Sequence, residues 1–255
     1  MNTGLITTWT GCMPRSPAPS RITWNLCNLP KKTTMCGRYI LESERPVHIT
    51  LKEKDFLPET FQGDLFNSYN IAPTQTVPVM RELKNLEFMH WWLIPGYEKE
   101  FKAGKFTLFN KKSEELEKPY WKKLVASQRV VIPMGGFYEW KKLTPKDKTP
   151  YLIKPSEDGM FWVAGLYDNW VNRETGEVKR SFTMLTMAPN EFMAEVHNRM
   201  PVFLDPQAED VAAWLAGAPP EEILKPFPSD RMTKYEVGPA VGNSRNNYKE
   251  LTNPV

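Results

Sequence analysis

After residue 34, this chain consists mainly of short stretches in which apolar and polar residues alternate. Turn-forming residues separate these stretches. A side-chain period of two is typical of strands that bury one face. The predicted strands are Cys36–Ile40, Thr76–Met80, Glu87–Leu93, Phe106–Phe109, Val130–Pro133, Phe137–Lys141, Tyr151–Lys154, Met160–Tyr167, Phe182–Met187, Pro201–Phe203 and Lys234–Val237.

Helical periodicity is rarer and predicts only short helices. The clearest begins at an Asp205 N-cap and ends at Gly217, and a second begins at an Asn190 cap. A third covers 113–126, with a break or kink at Pro119. The order of elements predicts an α+β fold in a single domain: a curved, mostly antiparallel, barrel-like β-sheet flanked by a few short helices.

The first 34 residues differ from the rest of the 255-residue chain. They hold four basic residues and no Asp or Glu, and they lack the basic start and apolar block of a signal peptide. Two interpretations remain: a disordered leader, or sequence upstream of a start codon at Met35, and we favour the second. We therefore divide the chain into a leader, 1–34, and one domain, 35–255.

Charge and cysteine content narrow the class of protein. The net charge of +3 resides in the leader, because 29 basic and 30 acidic residues remain from Met35 onward. DNA binding would therefore need a local basic patch. No stretch approaches the roughly 18 apolar residues of a membrane span, so no membrane contact is expected. Three cysteines and three histidines fit neither a disulfide framework nor a metal cluster, which favours a reducing, cytoplasmic setting without metal or other cofactors.

Cys36 carries the most distinctive candidate chemistry. If translation starts at Met35, removal of that methionine leaves an N-terminal cysteine with an α-amine of pKa roughly 7.7–8.0 beside a thiol of pKa roughly 8.5. An aldehyde can be captured by the amine as a Schiff base and closed by the thiol into a thiazolidine. An internal cysteine cannot do this, because its nitrogen is an amide. The alternative is a cysteine buried in the first strand.

Three further residues suit proton transfer or substrate positioning. Glu139 lies among aromatic residues, which suits general acid–base work, although it could equally pair with nearby lysines on a solvated face. His197 follows a helical stretch and precedes a proline-led strand, but a lone histidine is more often structural. Asn110 offers an amide and Lys112 a phosphate contact, or the two simply begin a solvated helix.

These motifs, in their order along the chain, resemble the SRAP family, the SOS response-associated peptidase proteins that crosslink to abasic sites. The resemblance covers essentially all of 35–255. It is carried by Met35-Cys36-Gly37-Arg38-Tyr39, Tyr69-Asn70-Ile71-Ala72-Pro73, Trp92-Leu93-Ile94-Pro95, Asn110, Gly136-Phe137-Tyr138-Glu139-Trp140, His197-Asn198-Arg199-Met200-Pro201-Val202 and Val241-Gly242-Asn243.

The resemblance implies a covalent sensor of abasic sites in single-stranded DNA that acts as a monomer. Cys36 would form the thiazolidine with the ring-opened sugar, and Glu139 would be the acid–base group. His197 would assist proton transfer during ring opening, and Asn110 would position the cysteine and the sugar. The DNA-contacting residues would be Arg38, Asn70, Pro73, Trp91, Trp92, Lys112 and Arg199.

Two departures from the family pattern concern DNA binding. After Asn110 the family usually has Ala-Arg-x-Glu-Thr, whereas this chain has Lys111-Lys112-Ser113-Glu114-Glu115. A lysine at 112 keeps the charge but loses the bidentate phosphate contact of arginine. Trp92 stands where the family has glycine, which places bulk beside the expected groove.

Two other classes of function stay open. Cys36 and His197 could form the nucleophile–base pair of a cysteine peptidase that removes its own leader. Alternatively, the protein could bind single-stranded DNA without forming a covalent bond. With the leader attached, Cys36 has no free amine and the crosslinking reaction is lost.

Overall fold

The computed structural model describes residues 37–42, 68–103, 106–144, 147–157 and 159–255. The predicted leader and the predicted nucleophile Cys36 lie outside the described residues. All described residues fall within the unit Thr34–Val255.

Strands form most of the described structure, and the helices are short. The strands are β1 (Tyr39–Ile40), β2 (Thr76–Glu82), β3 (Asn85–Trp91), β4 (Asn110–Lys112), β5 (Arg129–Met134), β6 (Gly136–Lys142), β7 (Lys148–Pro155), β8 (Phe161–Val171), β9 (Val178–Met187), β10 (Met200–Pro201), β11 (Phe203–Leu204) and β12 (Met232–Glu236). The α-helices are α1 (Pro119–Ser127), α2 (Glu191–Ala194), α3 (Asp210–Ala216) and α4 (Pro220–Ile223). Short 3₁₀ turns cover Ser113–Glu115, Ser229–Arg231, Pro239–Gly242 and Lys249–Thr252.

The larger sheet closes into a five-stranded barrel, in which β9, β3, β2, β5 and β8 follow one another and β8 pairs again with β9. All pairs in this ring are antiparallel except β3 with β9. Every residue of β5 is buried, and Trp214 of α3 donates its indole N–H to the Val130 carbonyl at 3.1 Å. The barrel and its short flanking helices confirm the predicted fold class.

A smaller antiparallel sheet, in the order β1-β6-β7-β12, packs beside the barrel. Side chains of β6 alternate between two cores: Phe137 belongs to the main core, and Tyr138 belongs to a second cluster with Ile40 and Val241. Because successive side chains of a strand point to opposite faces, Glu139 lies on the same face of β6 as Phe137.

Two predicted boundaries are wrong for identifiable reasons. The apolar run Phe106–Phe109 is not a strand; the ladder instead forms at Asn110–Lys112, whose backbone pairs with β9. The helix predicted from Asp205 begins at Asp210, because Glu209 adopts a left-handed backbone conformation with φ of 59° that a right-handed helix does not include. The Asp205 carboxylate accepts the Gln207 amide at 2.9 Å and binds Arg231 at 2.5 Å. The Asn190 cap and the Gly217 stop are confirmed, and Pro119 separates a 3₁₀ turn from α1.

Candidate active site

Gly37 is the residue to which Cys36 is joined, and three neighbours define its surroundings. The Tyr138 amide donates to the Arg38 carbonyl at 3.0 Å. Since β1 and β6 are antiparallel, Glu139 lies beside Gly37. On the other side, the Tyr39–Ile71 bridge brings the turn at Pro73, which is half-buried, toward Gly37. A Cβ added at Gly37 would lie 3.9 Å from the Phe109 ring.

Arg38 and Asn70 attach β1 to a C-terminal turn, residues 241–246. The Arg38 guanidinium donates to the carbonyls of Gly37 at 3.0 Å and Gly242 at 3.5 Å, and desolvation lowers its pKa below the ordinary value of an arginine. Asn70 is 1 % exposed, and its amide donates to the carbonyls of Val241, Asn243 and Asn246 at 3.2, 3.0 and 2.9 Å. Asn70 therefore presents almost no surface to DNA and instead holds this turn.

Glu139 brings a buried carboxylate to the predicted site. It is 3 % exposed, and its Oε2 accepts the Trp140 amide at 3.3 Å. Its place in the middle of the smaller sheet, between β1 and β7, fixes its backbone on both sides. A buried carboxyl held on a rigid strand is suited to moving a proton at a defined position.

His197 follows α2, and its imidazole is buried in a neutral state. Burial lowers its pKa below 6.5, and the charges of Lys142, Arg199 and Lys148 lower it further. Nδ1 accepts the Arg199 amide at 3.2 Å, which assigns the ring proton to Nε2. Nε2 is itself buried and has no hydrogen-bond partner within the described part of the chain, so its proton is not engaged by these residues.

Asn110 begins β4, which lies along β9 and is anchored by the preceding residue. The Phe109 carbonyl accepts the Met184 amide and the Trp91 indole N–H, both at 3.0 Å. Because the same Phe109 ring packs beside the Gly37 position, Asn110 begins β4 next to the point where Cys36 joins the structure. The structure thus brings the surroundings of Asn110, Glu139 and Gly37 together.

The two predicted stacking tryptophans occupy different environments. Trp91 is fully buried, and its ring packs edge-on against Tyr39 at 5.2 Å. It therefore offers no surface to a base and instead supports Phe109. Trp92 is half-buried, its ring lies 5.3 Å from that of Phe109, and its indole N–H has no partner among the described residues.

The basic candidates also differ. Lys112 is exposed, as a phosphate contact requires. The Arg199 guanidinium is instead bound by Glu114, with N–O distances of 2.5 and 2.8 Å. Lys111 and Glu115, which stand where the family usually has Ala and Thr, bind each other. Hydrogen bonds from Lys111 and Lys118 lower the pKa of the Glu115 carboxyl to about 2.

The described ranges also bear on metal binding and on membrane insertion. No group of three or more His, Cys, Asp or Glu residues able to hold a metal ion occurs among them. The helices found there are all too short or too polar to cross a bilayer.

Comparisons with known proteins connect this geometry to a family. Residues 35–244 match the family described as SOS response associated peptidase (SRAP). The chain belongs to the SRAP family. The abasic site processing protein YoqW of Bacillus subtilis (strain 168) is 38 % identical over 227 residues, which cover 85 % of this chain and 98 % of YoqW.

A more distant relative and a solved structure are also similar to this chain. The abasic site processing protein HMCES of Xenopus tropicalis is 32 % identical over 218 residues, covering 72 % of this chain and 64 % of HMCES. A crystal structure of a protein from Bacteroides thetaiotaomicron superimposes with a TM-score of 0.72 at 21 % identity, covering 86 % of this chain and 100 % of that one. At this identity the structural likeness concerns the fold.

Proposed function

We propose that this SRAP protein, with Cys36 as its N-terminal residue, forms a covalent thiazolidine crosslink with abasic sites in single-stranded DNA. The observation that carries the proposal is the setting of Gly37, which lies beside the buried carboxylate of Glu139 and against the residue that precedes Asn110. The names of its relatives, which describe abasic site processing, support the substrate class.

The chemistry needs both heteroatoms of an N-terminal cysteine. The Cys36 amine adds to the C1′ aldehyde of the ring-opened sugar, and the carbinolamine loses the aldehyde oxygen as water to give an imine. The thiolate then adds to the imine carbon while the nitrogen takes up a proton. One C–N and one C–S bond form, one water leaves, and no oxidant or reductant is needed.

The neighbouring side chains suit the proton transfers of this sequence. Neutral His197 presents Nε2–H, which donates a hydrogen bond to a sugar oxygen as the ring opens. Glu139 relays protons between the amine, the carbinolamine hydroxyl and water. Asn110 orients the aldehyde through its amide.

DNA contacts are assigned to the exposed rim around this centre. Lys112 binds phosphate as a point charge, and the half-buried Pro73 and Trp92 provide apolar surface for an unstacked base. Arg38 contributes positive charge next to Gly37. The remaining DNA candidates, Asn70, Trp91 and Arg199, act through other protein groups.

A crosslinking assay tests the proposal with chains that begin at Cys36. We expect wild-type protein to give a heat-stable shifted band with abasic single-stranded DNA on a denaturing gel, and none with intact DNA. Cys36→Ser keeps the amine but not the thiol, so it should give an adduct only after borohydride trapping of the Schiff base. A stable adduct formed by Cys36→Ala would overturn the mechanism.

Two further measurements, one of which uses the chain with its leader, separate the alternatives. A peptidase needs His197 to accept the thiol proton, yet Nδ1 is occupied by the Arg199 amide and Nε2 carries the ring proton. Mass spectrometry of the incubated full-length chain detects self-cleavage: an intact leader argues against a peptidase. Equal retention of abasic and intact single strands, without covalent adduct, would indicate a simple DNA-binding protein.

A further inference from the structure

The contact between Glu114 and Arg199 connects two parts of the candidate site that lie far apart in sequence. Both guanidinium Nη atoms bind the two carboxylate oxygens of Glu114, at 2.5 and 2.8 Å. Such a bidentate pair fixes the plane and the direction of the guanidinium as well as its position. Glu114 follows β4, which begins with Asn110, whereas Arg199 follows His197 by two residues.

Arg199 also donates hydrogen bonds to two other residues of the site, Thr186 and His197. Its Nη2 donates to the Thr186 carbonyl at 2.6 Å, and its backbone amide donates to His197 Nδ1 at 3.2 Å. Thr186 lies opposite Lys112 of β4 in the β9 ladder, and its hydroxyl donates to the Lys111 carbonyl at 3.3 Å. Arg199 therefore links β4, β9 and the His197 ring.

Few hydrogen-bond donors of Arg199 remain for a phosphate group. One N–H of Nη1 and the Nε–H are not used, and Nε is buried without a partner in the part of the chain that the structure describes. A phosphate cannot use the paired Nη edge of the guanidinium while Glu114 holds it. The arginine in this position is thus committed to the protein in the DNA-free state.

We propose that Glu114 is a positioning residue: by holding Arg199 it fixes β4, with Asn110, relative to His197 across the end of β9. The effect of Glu114 on the rate of crosslinking rests on the proposed crosslinking function. The carboxylate suits the task at ordinary pH, because the hydrogen bond from Arg199 lowers the pKa of Glu114 below its usual 4.5.

The test compares Glu114→Gln with a matched control, Glu117→Gln, in chains that begin at Cys36. Both variants remove one negative charge from the same segment with an isosteric side chain. Among the described residues, the Glu117 carboxylate forms an ion pair with Lys122 at 3.3 Å, and its side chain is 88 % exposed. Thermal unfolding midpoints close to wild type establish that both variants are folded.

Hydrogen exchange of the Arg199 amide is the first measurement and needs no DNA. If Glu114 holds Arg199, Glu114→Gln should speed this exchange roughly tenfold, because the amide loses its fixed alignment with His197 Nδ1. Glu117→Gln should leave it at the wild-type rate. Exchange that is unchanged in Glu114→Gln would overturn the proposal.

The second measurement separates the maximal crosslinking rate from the half-saturating concentration of abasic DNA. Glu114→Gln should lower the maximal rate by roughly tenfold, as small misplacements of reacting groups do, without weakening DNA binding. If Glu114 were only an acid that repels DNA, the variant would bind DNA more tightly and react at the wild-type maximal rate. That result would also overturn the proposal.

The two measurements keep the two proposals apart. If wild-type protein forms no crosslink, the proposed function fails, and amide exchange alone then decides whether Glu114 holds Arg199. If wild type does react, both the exchange rate and the maximal rate must change in Glu114→Gln and stay at wild-type values in Glu117→Gln.

Discussion

The two sides of the candidate site are held by different kinds of interaction. On the smaller-sheet side, β1 and the turn 241–246 are joined by Asn70, a buried neutral amide that donates to three carbonyls. On the β9 side, β4 and His197 are joined by the Glu114–Arg199 ion pair, whose side chains are 51 % and 17 % exposed. Buried hydrogen bonds are insensitive to salt, whereas partly exposed ion pairs weaken as salt screens them. The side next to Cys36 should therefore be rigid under all conditions, and the β9 side should respond to salt and pH.

The largest effect on stability is expected from Asn70→Asp on the smaller-sheet side, which is held by a neutral amide. The substitution keeps the shape but replaces two N–H donors by oxygen lone pairs that face three carbonyls, so the free energy of unfolding should fall by about 3 kcal/mol. Urea unfolding at low and high salt measures the change, which should be nearly the same at both. Asn243→Asp is the control, because its exposed Oδ1 accepts the Arg245 amide and keeps that role. A loss below about 1 kcal/mol for Asn70→Asp would remove the distinction between the two sides.

Arg199→Lys should have a smaller and salt-dependent effect on stability. One ammonium group cannot bind both oxygens of Glu114 and the Thr186 carbonyl together. Because the pair is partly exposed, we expect a loss of only about 1 kcal/mol at low salt, which shrinks as salt is added. The same urea titrations measure this loss of stability at low and high salt. A loss that is equal at both salt concentrations would mean that Arg199, like Asn70, stabilises the protein independently of salt.

The pH dependence of stability should come in part from His197. Its folded-state pKa lies below 6.5, so the unfolded chain takes up the proton first as the pH falls. The stabilisation is fully present above pH 6.5 and is lost as the pH falls through the lowered folded-state value. Between pH 7 and pH 5, the free energy of unfolding should thus fall more for wild type than for His197→Gln. Urea unfolding at each pH measures this difference. Parallel curves for the two proteins would contradict the neutral buried imidazole.

The smallest effect is expected for Lys111 and Glu115, the paired residues that stand where the family usually has Ala and Thr. Lys111 binds Glu115 and lies over the Trp121 ring at 4.7 Å. A double-mutant cycle with Lys111→Ala and Glu115→Thr should give a coupling of about 0.5 kcal/mol, because the carboxylate is partly exposed. A coupling above about 2 kcal/mol would mean that this pair, too, belongs to the rigid part of the site.

Local sequence signals predicted the strands and the type of fold but not the connections between distant segments. The alternation around Phe137 places Glu139 on the core-facing side of β6, and the Asn190 cap marks the start of α2. The strand at Asn110–Lys112 carries no apolar signal, since its backbone alone pairs with β9. Trp91 illustrates a second limit, because composition does not distinguish an exposed aromatic ring from one in the core.

The roles of Asn70 and Arg199 depend on partners that are remote in the chain. Asn70 bonds carbonyls more than 170 residues away, and Glu114 lies 85 residues from Arg199. A motif can mark such residues as functional, and here it assigned both to DNA contact. Only the three-dimensional arrangement shows that their polar groups are engaged by the protein.

The most direct test of the central claim is the mass and connectivity of the adduct between protein that begins at Cys36 and an abasic oligonucleotide. We predict an intact mass equal to protein plus DNA minus one water, with tandem fragmentation placing both the nitrogen and the sulfur attachment at residue 36. An adduct attached at any other residue, or one formed equally well by Cys36→Ala, would contradict the account.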